Sequence, residues 1–436
     1  MSSTPICDFV AAYARKDPLR LHMPGHKGAG PLGVELRDIT EIPGADDLYH
    51  AQGIIAESEA NASALFGCPT FYSTEGSSHC IRAMLYLAAR ASGETRPLVL
   101  AGRNAHKTFL TAAALLDLRV QWLLPKTPHA YHSCPITAQE VRDALSAGER
   151  PCALYLTSPD YLGNLVDLAP IAQVCREYGV LLLVDNAHGA YLKFLRPSLH
   201  PMDLGADLCC DSAHKTLPVL TGGAYLHVRT PQLAKQAKDA LALFGSTSPS
   251  YLIMQSLDAA NPYLEALPEK LSQRLPEVAQ LKERLQQQGF SLIGQEPWKL
   301  TLAPKSYGYT GQELAELLAA QGIVCEFADP DYLVCMVGFQ PLDRLDAFLT
   351  ELPRRTPIPQ QPPAPSLPRQ RLTPREALFA PCETLPTQQC LGRTLTALNV
   401  GCPPAIPIVM CGEEIDEAAI GQMMYYGILE CSVVTA

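Results

Sequence analysis

Uninterrupted apolar segments alternate with helical patterns between residues 57 and 228, and this alternation constrains the fold most. Residues 180–184 (VLLLV) contain no polar side chain, which suits a strand buried on both faces of a sheet. A helical pattern over residues 168–178 precedes this strand and ends at Gly179. Strands and helices that alternate in this way predict a mostly parallel sheet of the α/β class.

The same patterns predict the other elements of the chain. Further strands are expected at residues 97–101, 120–124, 153–157, 206–210 and 224–228. Further helices are expected at residues 57–66, 78–91 and 108–117. After Ala260 the pattern changes to that of a smaller α+β unit, with helices at 267–288 and 311–321 and strands at 290–293, 299–302 and 332–337.

A proline-rich segment separates this body from a short C-terminal part. Residues 353–374 (PRRTPIPQQPPAPSLPRQRLTP) can form neither a helix nor a central strand, because proline lacks the backbone N–H that both require. They predict a semi-rigid linker. The predicted parts are an N-terminal segment 1–45, a large domain 46–260, a small α+β domain 261–352, the linker 353–374 and a C-terminal domain 375–436.

Composition excludes several classes of function. A net charge of −10 disfavours a nucleic-acid partner but is compatible with a cationic small molecule. No stretch of about 18 apolar residues is present, so no membrane span is expected. The fifteen cysteines are scattered and form no CxxC pair, which indicates a reducing cytoplasm.

No metal site is expected. His22 and His26 have metal-like spacing, but Pro24 and Gly25 between them preclude a helix. His129, His132 and Cys134 are predicted to form only a surface cluster in a proline-flanked loop.

Reactive side chains follow the predicted strands, where ligands of α/β sheets bind. Asp185 and His188 follow one strand, and Lys215 follows the next one beside His214. Residues 73–78 (STEGSS) open a helix and suit an anion cradle, and His106 follows the strand 97–101. Each feature alone has an ordinary explanation, such as a capped helix, a turn or a solvated charge. A phosphate cradle, an imidazole, a buried carboxylate and a lysine together suit pyridoxal 5′-phosphate (PLP).

At these motifs the chain resembles the ornithine/lysine/arginine decarboxylase family. The resemblance is carried by DSAHKTLP at 211–218, HMPGHKG at 22–28, EIPGADDL at 41–48, NAHK at 104–107, DNAH at 185–188 and STSPSY at 246–251. It continues in the tail with TPREALF at 373–379, CPPAIP at 402–407 and Glu413. The tail departs from the family where Cys402 and Ala405 stand in place of tyrosine and glycine.

The resemblance implies a fold-type-I PLP enzyme with a seven-stranded, mostly parallel sheet in its large domain, a small α+β domain and a C-terminal domain. Lys215 would be the Schiff-base lysine and Asp185 the partner of the pyridinium nitrogen. His106 would stack on the cofactor ring, His188 would lie near its O3′ side, and Lys215 or His214 would protonate Cα. The phosphate contacts would be Ser77, Ser78, Ser212 and His214, with Thr247 reaching the phosphate of a neighbouring subunit. Asp46, Asp47 and Glu413 would recognise the distal cationic group of the substrate, although Asp46 and Asp47 also suit a solvated turn.

The expected function is therefore PLP-dependent decarboxylation of arginine, lysine or ornithine, as a step of polyamine biosynthesis. A cytoplasmic homodimer with a shared active site is expected, similar to the short family form that lacks the N-terminal wing domain. Two alternatives stay open. One is another fold-type-I enzyme, an aminotransferase or an aldolase, although no arginine has a position assignable to the substrate carboxylate. The other is a non-catalytic relative that binds the amino acid.

Overall fold

The computed structural model describes residues 2–126, 130–365, 367–397, 401–402 and 406–435. The chain divides into two units. The first unit comprises Met1–Glu94 and Cys175–Leu271, and the second comprises Thr95–Val174 and Ser272–Ala436. The domain boundaries predicted from the sequence stay a prediction.

Fifteen strands are assigned in the described residues. They are β1 Thr70–Ser73, β2 Leu98–Gly102, β3 Arg119–Leu123, β4 Ala153–Thr157, β5 Leu181–Asp185, β6 Leu208–Asp211, β7 Ala224–Val228, β8 Ser291–Ile293, β9 Lys299–Ala303, β10 Phe327–Ala328, β11 Leu333–Met336, β12 Cys382–Pro386, β13 Gly401–Cys402, β14 Ile406–Pro407 and β15 Glu430–Val434.

Sixteen α-helices are assigned in the same parts of the chain. They are α1 Pro5–Arg15, α2 Ile54–Phe66, α3 Gly76–Ser92, α4 Lys107–Leu115, α5 Ala138–Ala147, α6 Leu168–Tyr178, α7 Pro201–Leu204, α8 Ala213–Thr216, α9 Pro231–Ala234, α10 Ala237–Ala242, α11 Tyr251–Glu265, α12 Leu267–Gln287, α13 Gly311–Ala320, α14 Asp343–Glu351, α15 Pro374–Phe379 and α16 Glu417–Tyr425. In this described part, no helix is both long and apolar enough to span a membrane.

A seven-stranded sheet has the order β1-β7-β6-β5-β4-β2-β3. Only β7 is antiparallel to its neighbours among the strand pairs described, so the predicted mostly parallel α/β sheet is confirmed. Strands β2 and β7 are buried along their whole length, as the lack of polar alternation predicts. Helices α2 and α3 end at Gly67 and Gly93, both in the left-handed region that glycine enters without steric cost.

The second unit contains the predicted α+β arrangement. A four-stranded antiparallel sheet in the order β10-β11-β9-β8 shares a core with α12, α13 and α14. In the C-terminal part, β12 pairs with β15, and α16 packs on a separate core that includes Leu395 and Val433. His132 and Cys134 of this unit are buried, so the prediction that they lie in a surface cluster is wrong. His132 lies 3.6 Å from the Asp329 carboxylate, whereas His129 lies outside the described residues.

The proline-rich linker lies against the body of the second unit. The described residues between 353 and 373 form no helix and only an isolated bridge from Gln370 to Glu413. The backbone N–H of Arg355 donates to Tyr307 O over 3.1 Å, and that of Ile358 donates to Lys305 O over 2.9 Å. These two hydrogen bonds hold in place an extended segment that has few backbone N–H donors, because many of its residues are prolines.

Candidate active site

The carboxyl ends of three strands of the first unit lie at one edge of the sheet. Strand β7 is antiparallel to both β1 and β6, and β6 is parallel to β5, so β1, β5 and β6 run in the same direction. Asp185 pairs with Cys210, and Asp211 pairs with Tyr225. The segments that follow these strands therefore start at one edge, which is the usual ligand site of such sheets.

Lys215 lies on the short helix α8 and faces a histidine from the segment after β5. Its Nζ is 3.0 Å from Nε2 of His188, which is buried. One hydrogen lies between these two atoms, so one of the nitrogens presents a lone pair. A neutral amine is the nucleophilic form of lysine, and a neighbouring imidazole can accept the proton that the amine must lose.

The N-terminus of α3 lies at the same edge and carries the donors expected of an anion cradle. Glu75, the residue before this 17-residue helix, makes no capping hydrogen bond through its side chain. In the first turn, the Ser77 hydroxyl accepts a hydrogen bond of 2.7 Å from the Ser212 hydroxyl, and Ser78 follows it. Backbone N–H groups and hydroxyls at a helix N-terminus bind phosphate. Gly222 approaches this turn so closely that a Cβ there would lie 2.8 Å from Thr74 O.

Asp185 is the last residue of β5, and His214 lies on α8, which follows the neighbouring strand β6. Asp185 is buried, and its Oδ1 accepts the backbone N–H of Ala187 over 3.1 Å. Nδ1 of His214 lies 3.0 Å from Gly223 O, so we assign the ring proton to Nδ1. Burial lowers the pKa of His214, which leaves a neutral imidazole at this position.

Two predicted site residues lie in the second unit. His106 precedes α4, and its Nδ1 accepts the backbone N–H of Thr108 over 3.2 Å. Glu413 accepts hydrogen bonds of 2.9 and 2.8 Å from the two terminal nitrogens of Arg103. The side chains of Arg103 and Glu413 are only 3% and 1% exposed. Burial raises the pKa of Glu413 and the Arg103 charge opposes that effect, so the carboxylate predicted for the substrate already has a cationic partner.

The other predicted substrate carboxylates also have partners in their own unit. Asp46, at φ +70°, accepts the backbone N–H groups of Gln52, Gly53, Ile55 and Ala56 around the start of α2. Burial acts to raise the pKa of Asp46, but hydrogen bonds from backbone N–H groups, those of Gln52, Gly53, Asp47 and Ala56, outweigh it and the pKa is lowered. Asp47 accepts the backbone N–H of Tyr49 over 2.9 Å.

Thr247 lies in an exposed segment beside the cradle. The neighbouring Ser246 donates its backbone N–H to the carboxylate of Glu75 over 2.6 Å. Glu75 directly precedes α3, so this bond ties the segment to the start of the helix. The side chain of Thr247 itself stays exposed in the single chain.

The donors gathered in the first unit fit PLP. A phosphate matches the cradle of Ser77, Ser212 and the α3 backbone, an aldehyde matches the Lys215 amine, and a protonated ring nitrogen matches the buried Asp185 carboxylate. The individual residue roles remain predictions.

Three polar residues near these positions escaped the sequence reasoning. Arg103 was not assignable from its position, and its partner Glu413 lies 310 residues away. Asn186 and Asp211 are fully buried and joined by a 2.7 Å hydrogen bond. An indication was available for Asp211, because a carboxylate that ends an apolar strand must meet a donor or a cation.

Known proteins have sequences and folds similar to those of this chain. A family model described as the major domain of the Orn/Lys/Arg decarboxylases matches residues 4–295. The uncharacterized protein YaaO of Bacillus subtilis is 30% identical over 97% of this chain and 94% of its own length. An arginine decarboxylase of Halalkalibacterium halodurans is 30% identical, with 95% and 91% covered.

Among solved structures, the lysine decarboxylase LdcF of Francisella novicida superposes with a TM-score of 0.80 at 17% identity. The superposition covers 100% of this chain and 81% of that one. At this identity the likeness shows the fold, which is that of a fold-type-I enzyme with a mixed α/β sheet. Together with the family match over two thirds of the sequence, it shows that this chain belongs to the Orn/Lys/Arg decarboxylase family.

Proposed function

We propose that this chain is a PLP-dependent decarboxylase that converts a basic amino acid to its amine and CO₂. The observation that carries the proposal is the 3.0 Å contact of Lys215 with His188, at the sheet edge that also holds Asp185 and the Ser77–Ser212 cradle. Family membership and relatives named arginine decarboxylase support the reaction class.

Each side chain of the first unit has a distinct task in this proposal. When bound, the cofactor supplies an electron sink for the electron pair that remains as CO₂ leaves. Lys215 would hold the cofactor through its Nζ and pass its proton to His188 Nε2. The buried Asp185 carboxylate would keep the ring nitrogen protonated, because a charge at that depth requires a cationic partner. Lys215 would return a proton to Cα, because the neutral His214 ring already donates its one proton to Gly223 O.

The products and the preferred substrate test the reaction class. The PLP-loaded protein, offered arginine, lysine and ornithine in parallel, is expected to release amine and CO₂ in equal amounts from at least one of them. Formation of a 2-oxo acid without CO₂ would instead indicate an aminotransferase. The predicted substrate carboxylates Asp46, Asp47 and Glu413 have partners within their units, so the assay must identify the substrate.

We further propose a homodimer with a shared site. Apolar side chains of residues 19–36 are exposed in the single chain, with Leu19 at 84%, Leu21 at 82% and Leu32 at 80%. Exposed apolar surface of this kind is costly in water, and a second copy of the chain would cover it. The same copy would receive Thr247 at its phosphate site.

Sedimentation of the PLP-loaded protein tests the dimer. The wild type is expected to sediment as a dimer, and Leu21→Lys is expected to shift it towards monomer. Val324→Lys, at a residue that is 89% exposed in the second unit, serves as the control and is expected to leave the dimer intact. A wild-type monomer at assay concentration would contradict the proposal.

The setting that we propose is a cytoplasmic step of polyamine biosynthesis. The cysteines whose side chains are described carry free thiols, which is typical of proteins in reducing compartments.

A further inference from the structure

A buried polar network surrounds Asp211, the last residue of β6. The carboxylate is completely shielded from solvent, accepts hydrogen bonds from an asparagine and two histidines of the first unit, and lies 3.8 Å from the Cys209 thiol. Asn186 Nδ2 donates over 2.7 Å, His200 Nε2 lies at 3.1 Å and His227 Nε2 lies at 3.0 Å. All four residues are buried. None of them is among the residues assigned to the phosphate cradle, and none is Lys215 or its partner His188.

The hydrogen bonds on the far sides of the two imidazoles fix their protons. Nδ1 of His200 accepts the backbone N–H of Met202, so its proton is assigned to Nε2, facing Asp211. Thr70 Oγ1 lies 3.0 Å from Cys68 O and 2.9 Å from His227 Nδ1. We assign the hydroxyl proton to the bond with the carbonyl, so that Nδ1 of His227 donates to Thr70. His227 then carries protons on both nitrogens and forms an imidazolium paired with the Asp211 carboxylate.

Electrostatics agrees with this assignment. Burial disfavours both charges, but attraction to His200 and His227 outweighs it and lowers the pKa of Asp211. Burial lowers the pKa of His227, but the charges and hydrogen bonds of Asp211 and Cys68 together outweigh burial, so the net shift is upward. The pair is thus a buried carboxylate and imidazolium with additional hydrogen bonds, the condition under which buried charges are tolerated.

His200, Cys209 and Asp211 have the spacing of possible metal ligands. A metal at His200 Nε2 would place the imidazole proton on Nδ1, where it would face the Met202 N–H. Two donors would then oppose each other. The geometry therefore favours the hydrogen-bonded network over a metal centre.

The network joins the two segments that carry the predicted cofactor contacts. Asn186 directly follows Asp185, and its backbone N–H also donates to Cys210 O over 3.0 Å. Asp211 directly precedes Ser212 and lies four residues before Lys215. The Asn186–Asp211 bond therefore connects the Asp185–His188 segment to the Ser212–Lys215 segment through side chains.

We propose that Asn186 and Asp211 are positioning residues, whose hydrogen bond holds Lys215 in register with Asp185 and His188. This inference rests on the proposed function, because the register matters only if these segments share a cofactor. Neither residue is assigned contact with the cofactor. Their role is to fix the distance between the residues that make that contact.

Asn186→Ala tests the proposal, and Asn261→Ala is the matched control. Asn261 is a buried asparagine of the same unit, and its amide bonds to Ser58 O and Tyr72 OH instead. Asn186→Ala is expected to weaken PLP binding by about 10- to 100-fold, the usual strength of a hydrogen bond to a charged group. The amount of bound cofactor is measured in a separate sample by borohydride fixation. The rate of CO₂ release divided by that amount is expected to fall by about 10-fold, with KM for the amino acid unchanged. The control is expected to change only the melting temperature.

Asp211→Asn provides a second measure in a side chain of the same shape, and is expected to change PLP binding and rate in the same direction. The inference would be overturned if Asn186→Ala and Asn261→Ala had equal PLP affinity and an equal rate per fixed cofactor. This outcome applies when the wild type still fixes cofactor on Lys215. A wild type that fixes no cofactor on Lys215 would overturn the proposed function and the inference with it, so the two failures are distinguishable.

Discussion

Lys215→Ala is expected to reduce amine release by about 10³-fold or more and to abolish borohydride fixation of PLP to the protein. The lysine is the nucleophile that we assign to the cofactor aldehyde, and its Nζ lies 3.0 Å from His188. Alanine removes both the covalent attachment and a candidate proton donor for Cα. Amine and CO₂ release under saturating PLP measures the loss of activity. The mass of the borohydride-reduced protein measures the loss of covalent attachment.

Two companion variants separate chemistry from charge. Lys215→Arg keeps a cation beside His188, but a guanidinium does not lose its proton in proteins and cannot form the covalent link. It is therefore expected to fail as alanine does. Lys193→Ala removes a lysine of the same unit that is paired with Asp203 over 2.7 Å, and it is expected to keep activity and fixation. Amine release by Lys215→Ala at the wild-type rate would contradict the assignment.

Much of the sheet was predictable because its strands are apolar on both faces. The predicted strands at 153–157 and 224–228 match β4 and β7 at both ends. Strand β1 was missed because Thr70–Ser73 is short and forms an edge of the sheet, where no long apolar run is needed. Helix α11 was missed because Pro262 lies inside it, and a proline normally predicts a break.

The candidate site was predictable where function depends on residues next to each other in the sequence, as in the segments after β5 and β6. The pairing of partners distant in the sequence was not predictable. Nothing near Asp46 indicates that a left-handed backbone conformation would turn its carboxylate towards five backbone N–H groups. Nothing near Arg103 indicates a partner 310 residues away. In both cases the partner comes close only in the folded chain. The residue type alone is as compatible with a substrate contact as with a partner inside the protein.

Glu413 can be explained either as the structural partner of Arg103 or as a substrate contact. These two explanations differ most in measurable effect at this residue. Arg103 and Glu413 form a bidentate ion pair that is almost completely buried, and the guanidinium also lies 5.3 Å from the Trp122 ring centre. Glu413→Gln would leave the buried Arg103 charge without a counter-charge. We expect a loss of about 3–5 kcal/mol in the free energy of unfolding, the usual cost of breaking a buried pair, measured by denaturant unfolding.

The neighbouring Glu414 provides the matched control for Glu413→Gln. Its pair with Arg371 is partly exposed, so Glu414→Gln is expected to cost about 1 kcal/mol or less. Replacing both buried partners, as in Arg103→Met with Glu413→Leu, is expected to recover most of the lost stability, because no unpaired charge then remains. If Glu413 instead recognises the substrate cation, Glu413→Gln would raise KM for the amino acid and leave the unfolding free energy nearly unchanged. The buried bidentate geometry predicts the opposite result, in which stability falls and KM of the folded enzyme stays the same.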